Sequence, residues 1–131
     1  MREIIFRGKY LGDGNWVDGY LYVTHDGTCE IGKYNEQYRI ERYTYIVNPD
    51  SVGQYTGRKD RNGKKIFEGD IMRGAMGKYV VSYFDAGFDW ERVGDKHYGG
   101  ESFTGFSDEY EVIGNIHDNP DLLEVVECGT L

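Results

Sequence analysis

Two glycine turn dipeptides, Asp26-Gly27 and Asn62-Gly63, lie between short runs of aromatic and β-branched residues, and this pattern restricts the fold most strongly. Both dipeptides favour tight β-hairpins, and Asp26-Gly27 suits the positive φ angles of a type I′ turn. The chain of 131 residues contains 19 Gly and 12 Tyr but only 2 Pro, a composition that suits strands and turns rather than a helix bundle. The sequence therefore predicts an all-β, mostly antiparallel protein.

Three segments are expected to depart from regular strands. The alternation of apolar residues slips in phase near Glu41-Arg42, which predicts a bulge or a bend at that point. Residues 94–108 carry little pattern and predict a long loop. Near the end, Asn119 is a suitable N-cap and Pro120 a suitable first helical residue, so a short helix is predicted near 120–128.

Charge is distributed unevenly along the chain. The formal net charge is −8, and the last 31 residues contribute all of it, since they hold eight acids and no Lys or Arg. A globally acidic chain repels nucleic acid. No apolar run approaches the roughly 20 residues of a membrane span, and no signal peptide opens the chain, so a cytoplasmic protein without a membrane partner is expected. Basic residues nevertheless cluster around a single acid, Asp60: these are Arg58, Lys59, Arg61, Lys64 and Lys65.

Catalytic and metal-binding patterns are incomplete, so no enzyme activity and no cofactor or metal is expected. The segment from Gly57 to Lys64 does not fit a phosphate-binding loop, because five residues separate its glycines and a second lysine follows Lys64. The chain has two cysteines, which we expect to be ordinary thiols in the reducing cytosol. The histidines His25, His97 and His117 lack the spacing of a zinc site. His25 and Cys29 have no third group to orient them for nucleophilic catalysis, and Cys29 and Cys128 form no CxxC pair. The acid pairs alternate with apolar residues, which predicts that they lie on the solvent face of a strand: Asp89 with Glu91, and Glu109 with Glu111.

Three segments resemble the YopX family of phage and prophage proteins. They are the opening MREIIFR at 1–7, QYTGRKDRNGKKIFEGDIM at 54–72, and YEVIGNIHDNP at 110–120 followed by two leucines. The resemblance implies an SH3-like barrel, carriage by bacteriophages or prophages, and no established biochemical role. Its signature consists of turn and core residues rather than catalytic ones: Gln54, Tyr55, Thr56, Gly57, Asn62, Gly63, Glu68, Gly69, Asp70, Gly114 and Asn115.

On this basis we expect a single YopX-like domain in three parts. An N-terminal β extension covers 1–51 and the barrel core 52–93, while 94–131 hold the loop, the last strand and the C-terminal helix. The expected role is that of a non-enzymatic binding or accessory module in a bacterial host cell. Its partner would be a host or phage protein, and a homo-oligomer is also compatible with the sequence.

Two alternative functions remain open from the residues. In the first, the hairpin at 58–65 contacts nucleic acid, with Lys and Arg on phosphates and the rings of Tyr55, Phe67 and Tyr79 stacked on bases. In the second, the carboxylates of 101–131 form a decoy for a basic surface of a host protein. The near-neutral first hundred residues weaken the decoy hypothesis, because a mimic should spread its charge along a whole face.

Overall fold

The structure is a computed structural model that describes residues 4–34, 40–74, 77–84, 87–93, 101–102 and 109–124. The chain divides into two compact units, Met1–Gly57 and Arg58–Leu131, which are described in turn. The predicted all-β, antiparallel class is confirmed in both. None of the helices among the described residues is long and apolar enough to span a membrane.

The first unit is an antiparallel sheet with the strand order β4-β3-β2-β1-β5. Strand β5 contains the boundary between the units, and its first residues pair with Phe6 and Arg7 of β1. A 3-10 segment, Pro49–Ser51, precedes β5, and the side chain of Asn48 caps it by accepting a hydrogen bond from the backbone N–H of Asp50. The strands are Phe6–Lys9 (β1), Trp16–Val23 (β2), Cys29–Tyr34 (β3), Ile40–Val47 (β4) and Gly53–Lys59 (β5).

The ends of β1 and β4 meet, so the first four strands curl. Tyr10 forms an antiparallel bridge with Val47, and the N–H of Leu11 donates to the carbonyl of Ile46 at 3.0 Å. The ring of Tyr10 packs edge-on against Tyr45, with 5.1 Å between ring centroids. The inner face of this curl buries Ile31 and Val47 almost completely. Burial of such β-branched side chains is the main source of stability in a small sheet.

The predicted irregularity near Glu41-Arg42 is confirmed. Gly32 pairs with Thr44, but Tyr34 pairs with Ile40, so the register between β3 and β4 shifts at this point. A regular strand would place the apolar residues before and after this point on opposite faces of the sheet, and the shift in register allows them to share one face.

The second unit contains a sheet with the strand order β10-β9-β8-β7-β11. Its core consists of Ile66, Met72, Tyr79, Val81, Trp90 and Tyr110, against which Phe88 and Val112 pack. The strands of the unit are Lys65–Phe67 (β6), Asp70–Gly74 (β7), Gly77–Phe84 (β8), Gly87–Arg92 (β9), Glu101–Ser102 (β10) and Glu111–Asn115 (β11), and a 3-10 segment covers Pro120–Leu123.

The SH3-like barrel expected over 52–93 is not confirmed. Among the described residues β10 and β11 form the two edges of the sheet, and no ladder joins them. Strand β11, from outside the expected barrel core, pairs with β7 from Asp70 to Arg73. Most of the loop expected over 94–108 lies outside the described residues, and its residues Glu101–Ser102 pair with β9.

The α-helix predicted near 120–128 is not confirmed either. The structure has a 3-10 segment at Pro120–Leu123, and Glu124 already has extended backbone angles. Asn119 makes no cap, because its Oδ1 accepts a hydrogen bond from the N–H of Asn115 at 3.2 Å instead. Lys78 donates from Nζ to the carbonyl of Leu122 at 2.8 Å, which fixes the end of the segment. Residues 125–128 lie outside the described residues.

Candidate binding surface on the basic hairpin

The hairpin between β5 and β6 turns through a three-residue loop. The N–H of Asp60 donates to the carbonyl of Lys64 at 2.8 Å, and the N–H of Gly63 donates to the carbonyl of Asp60 at 3.0 Å. Gly63 has φ = 82°, a left-handed conformation that glycine adopts without strain. This pattern is typical of a turn that ends in a glycine bulge. Asn62-Gly63 thus marks a hairpin, as predicted.

The hairpin at Asp26-Gly27 follows the same scheme, so the type I′ turn predicted there is wrong. Thr24 donates its N–H to the carbonyl of Thr28 at 2.9 Å, and Gly27 donates to the carbonyl of Thr24 at 2.9 Å. The loop therefore contains three residues rather than two. Side chains explain the difference, because the N–H of Thr28 donates to both Thr24 Oγ1 and Asp26 Oδ1.

The carboxylate of Asp60 organises the basic hairpin from within. Its Oδ1 accepts hydrogen bonds from the N–H groups of Asn62 and Lys64, each at 2.9 Å, and its Oδ2 accepts one from the N–H of Val112 at 2.9 Å. The residue is only 5% exposed. A buried carboxylate is tolerated when its oxygens receive such bonds, and here backbone N–H groups supply them.

Two opposing effects set the pKa of Asp60. Burial acts to raise it, but the hydrogen bonds from Val112, Lys64 and Asn62, together with the nearby Lys64 ammonium, outweigh burial and lower the pKa below its ordinary value. The carboxylate is therefore ionised at neutral pH, with its charge directed at the backbone.

The hairpin is also fixed to strand β11. The N–H of Arg61 donates to the carbonyl of Tyr110 at 3.0 Å, and the bond from Val112 to Asp60 lies two residues further along. Because Tyr110 belongs to the buried core, these bonds hold the base of the loop against a rigid part of the unit.

The structure brings the five predicted basic residues together on this one hairpin. Arg58, Lys59, Arg61 and Lys64 are exposed, and Lys65 is half-buried. Another exposed cation of the same unit, Arg73 on β7, forms an ion pair with Glu111 at 3.1 Å.

The aromatic residues proposed to stack on bases are buried, so that part of the nucleic-acid hypothesis is wrong. Tyr55 and Phe67 are each 6% exposed and Tyr79 is 3% exposed. Tyr79 stacks on Trp90 with 4.8 Å between ring centroids and meets Tyr110 edge-on at 5.6 Å. These rings fill the interior of the protein and are inaccessible to a nucleic acid.

Several signature residues shape the turn before β7. Gly69 in this turn has a φ angle of 93°, which favours glycine, and Gly57 within β5 has one of 87°. The N–H of Gly69 donates to the carbonyl of Val81 at 2.8 Å. Asp70 is 1% exposed, and its Oδ2 accepts the N–H of Phe67 at 2.7 Å, so its carboxylate closes the turn.

The signature pair near the end, Gly114 and Asn115, orders the turn after β11. Oδ1 of Asn115 accepts hydrogen bonds from the N–H groups of His117 and Asp118, at 3.0 and 2.9 Å. A Cβ atom at Gly114 would lie 2.4 Å from Oδ1 of Asn119, so only glycine leaves space for that side chain.

The structure shows where several of the catalytic and metal-binding candidates lie. No group of three or more His, Cys, Asp or Glu side chains that could hold a metal ion occurs in the described ranges. The thiol of Cys29 lies 3.7 Å from the carbonyl oxygen of Gly27, and His25 is exposed in the neighbouring loop. Asp89 and Glu91 flank the buried Trp90 and share the opposite face of β9. His97 and Cys128 lie outside the described residues.

Sequence reasoning missed the role of Asp60, its partner Val112, and the bond from the N–H of Arg61 to the carbonyl of Tyr110. A local signal for part of this role was present, since an Asp two residues before Asn-Gly commonly bonds the backbone N–H groups that follow it. No local signal could show the contact with Val112, which lies 52 residues further along the chain.

The described strands define an all-β protein of antiparallel sheets with an ordered basic hairpin. A family model described as YopX protein matches residues 6–124, so the chain belongs to the YopX family. Among solved structures, the chain is similar to protein EF1440 from Enterococcus faecalis, with a TM-score of 0.55 and 25% sequence identity. That likeness covers 95% of this chain and 100% of the other. No protein with a curated description matches the chain.

Proposed function

We propose that this YopX-family chain is a non-enzymatic binding or accessory protein of a bacteriophage or prophage, acting in the cytoplasm of the bacterial host. The contact surface in this proposal is the basic hairpin, residues 58–65, and its partner is an anionic protein surface. The observation that carries the proposal is the position of Asp60. Its carboxylate accepts hydrogen bonds from three backbone N–H groups, and exposed cations precede and follow it on the same hairpin.

The hydrogen bonds of the hairpin support recognition by a preorganised surface. A flexible basic loop loses conformational entropy when it binds, which weakens the complex. Here Asp60 bonds the loop internally, and Arg61 and Asp60 both bond β11. Much of the conformational entropy of the loop is therefore lost when the protein folds rather than when it binds. The two arginines of the hairpin suit carboxylates, because a guanidinium can donate two parallel hydrogen bonds to one carboxylate.

The charge of the whole chain favours a protein partner over a long polyanion. The net charge is −8, so the protein repels an extended nucleic acid even while its hairpin attracts phosphates. A compact acidic patch on a protein can contact the hairpin without approaching the acidic parts of the chain, so it avoids most of this repulsion. The acidic groups of the partner would then mainly raise the rate of association with the hairpin and contribute less to the affinity of the complex.

Nucleic acid remains a second candidate because both sides of the hairpin carry exposed cations. Arg58 and Lys59 precede the loop, and Lys64 follows it. A phosphate backbone bound there would make binding fall steeply with salt, by about one unit of log-log slope for each phosphate contact.

One experiment with two arms tests the proposal. The first arm compares the parent protein with the Lys64→Ala, Lys65→Ala double variant in affinity capture from the bacterial host. We expect the double variant, but not the Arg73→Ala control, to lose a partner that high salt also releases. In the second arm, parent protein at about 150 mM salt should bind neither single- nor double-stranded nucleic acid at micromolar concentrations.

Each arm can contradict the proposal. Identical captured proteins from the parent and double variant would remove the hairpin as the contact surface. Micromolar binding to nucleic acid, lost in the double variant with a salt slope smaller by about two units, would make nucleic acid the partner instead.

A further inference from the structure

Two exposed apolar side chains and one carboxylate form a row across the outer face of the curled sheet in the first unit, and an exposed leucine in the turn after β1 lies at the end of this row. Tyr22 on β2 pairs with Glu30 on β3, and Glu30 pairs with Ile46 on β4. Leu11 follows β1, and its N–H donates to the carbonyl of Ile46. Because directly paired residues of antiparallel strands share a face, Tyr22, Glu30 and Ile46 lie side by side, and the backbone bond places Leu11 next to Ile46 at the end of this row. We call them the outer row.

The apolar members of the outer row are unusually exposed for their type. Leu11 is 64% exposed, Tyr22 58% and Ile46 47%, whereas Ile31 and Val47 on the opposite face are nearly inaccessible. Single exposed apolar residues are common on soluble proteins, but neighbouring ones on adjacent strands make a patch. Such patches mark surfaces for interaction with other molecules.

A carboxylate interrupts the row and restricts what can cover it. The hydroxyl of Thr44 donates to Oε1 of Glu30, which holds the carboxylate between Tyr22 and Ile46. A purely apolar partner would bury this charge without compensation, at a high cost. A cation placed opposite Glu30 removes that cost. The row therefore matches a partner with apolar side chains on both sides of a Lys or Arg.

We propose that the outer row docks a protein segment in which a basic residue lies between two apolar residues. Charge complementarity selects this occupant over a second copy of the chain, because a two-fold contact of the row with itself would bring two Glu30 carboxylates together with no cation in the row. Strand spacing places Tyr22 and Ile46 about 10 Å apart on either side of Glu30, a span that about four residues of an extended peptide cover. This surface is separate from the basic hairpin, so either proposal can fail alone.

Two labelled peptides test the docking, one centred on Leu-Ser-Lys-Ser-Leu and the other with Glu in place of Lys. Fluorescence anisotropy should show that the parent protein binds the lysine peptide and prefers it to the glutamate peptide. Tyr22→Ser should weaken binding about tenfold, as removal of an aromatic anchor commonly does. Glu30→Gln should remove most of the preference between the peptides.

A matched control and three contrary results test the docking proposal further. Tyr83→Ser removes an equally exposed tyrosine, 53% accessible and in the other unit, and should leave binding unchanged. Absence of binding by the lysine peptide, or binding that Tyr22→Ser leaves intact, would overturn the proposal. Sedimentation that shows a dimer of the parent protein, lost in Tyr22→Ser, would also overturn it by making a second copy the occupant.

Discussion

Replacing Gly114 by valine should reduce the free energy of unfolding by about 3 kcal/mol or more, because the new side chain has no space. Its Cβ would lie 2.4 Å from Oδ1 of Asn119 and 3.0 Å from Cδ1 of Leu122. The backbone of Gly114 is not in the left-handed region, so the effect is one of packing alone. Thermal unfolding followed by circular dichroism should show a melting temperature lower by roughly 10 °C.

Gly87→Val is the matched control for this change. A Cβ at Gly87 meets no atom within 4 Å, and its backbone is likewise outside the left-handed region. The control should change the stability by no more than about 0.5 kcal/mol. Equal stability of Gly114→Val and Gly87→Val would show that Asn119 and Leu122 do not pack against β11 as described.

Asp60→Ala should reduce the free energy of unfolding by about 2–4 kcal/mol at neutral pH. The change deprives three backbone N–H groups of an ionised acceptor, and the N–H of Val112 is at least partly buried. Chemical denaturation measures the loss. Asp121→Ala, at an exposed acid of the same unit, should have little effect.

The effect of Asp60→Ala should depend on pH in one direction. The pKa of Asp60 is lowered in the folded state, so its contribution to stability is fully present above the ordinary value near 3.8 and is lost as pH falls through the lowered pKa. The gap between the parent and the variant should therefore be constant at pH 5 and above, and narrow below about pH 4. Asp26 also has a lowered pKa, but it is present in both proteins and cancels in the difference. A gap independent of pH would contradict the assigned role of the carboxylate.

Local chemistry allowed most of the strands and turns to be predicted. Asn62-Gly63 identified a hairpin because glycine adopts positive φ without strain, and the slip at Glu41-Arg42 identified an irregular register. The same local rules misassigned the turn at Asp26-Gly27. There, side-chain oxygens of Thr24 and Asp26 bond the N–H of Thr28 and stabilise a longer loop.

Contacts between distant residues account for what the sequence could not predict. Strand β11 pairs with β7 some 40 residues earlier, so the sheet includes a strand from outside the barrel core expected over 52–93. Asn119 has the residue type of a helix cap, yet its side chain bonds Asn115 and the predicted helix does not form at Glu124. The cluster of cations was visible in the sequence, but the attachment of their loop to Tyr110 and Val112 required the fold.

Site-specific photo-crosslinking in the bacterial host tests the role of the basic hairpin most directly. A photoreactive residue, p-benzoylphenylalanine, replaces Asn62 at the exposed tip of the loop or, as a control, Tyr83 at an exposed site of the same unit. The proposed contact predicts a crosslinked partner protein at position 62 that is absent at position 83 and disappears in the Lys64→Ala, Lys65→Ala background. Crosslinks at position 83 with none at position 62 would contradict it.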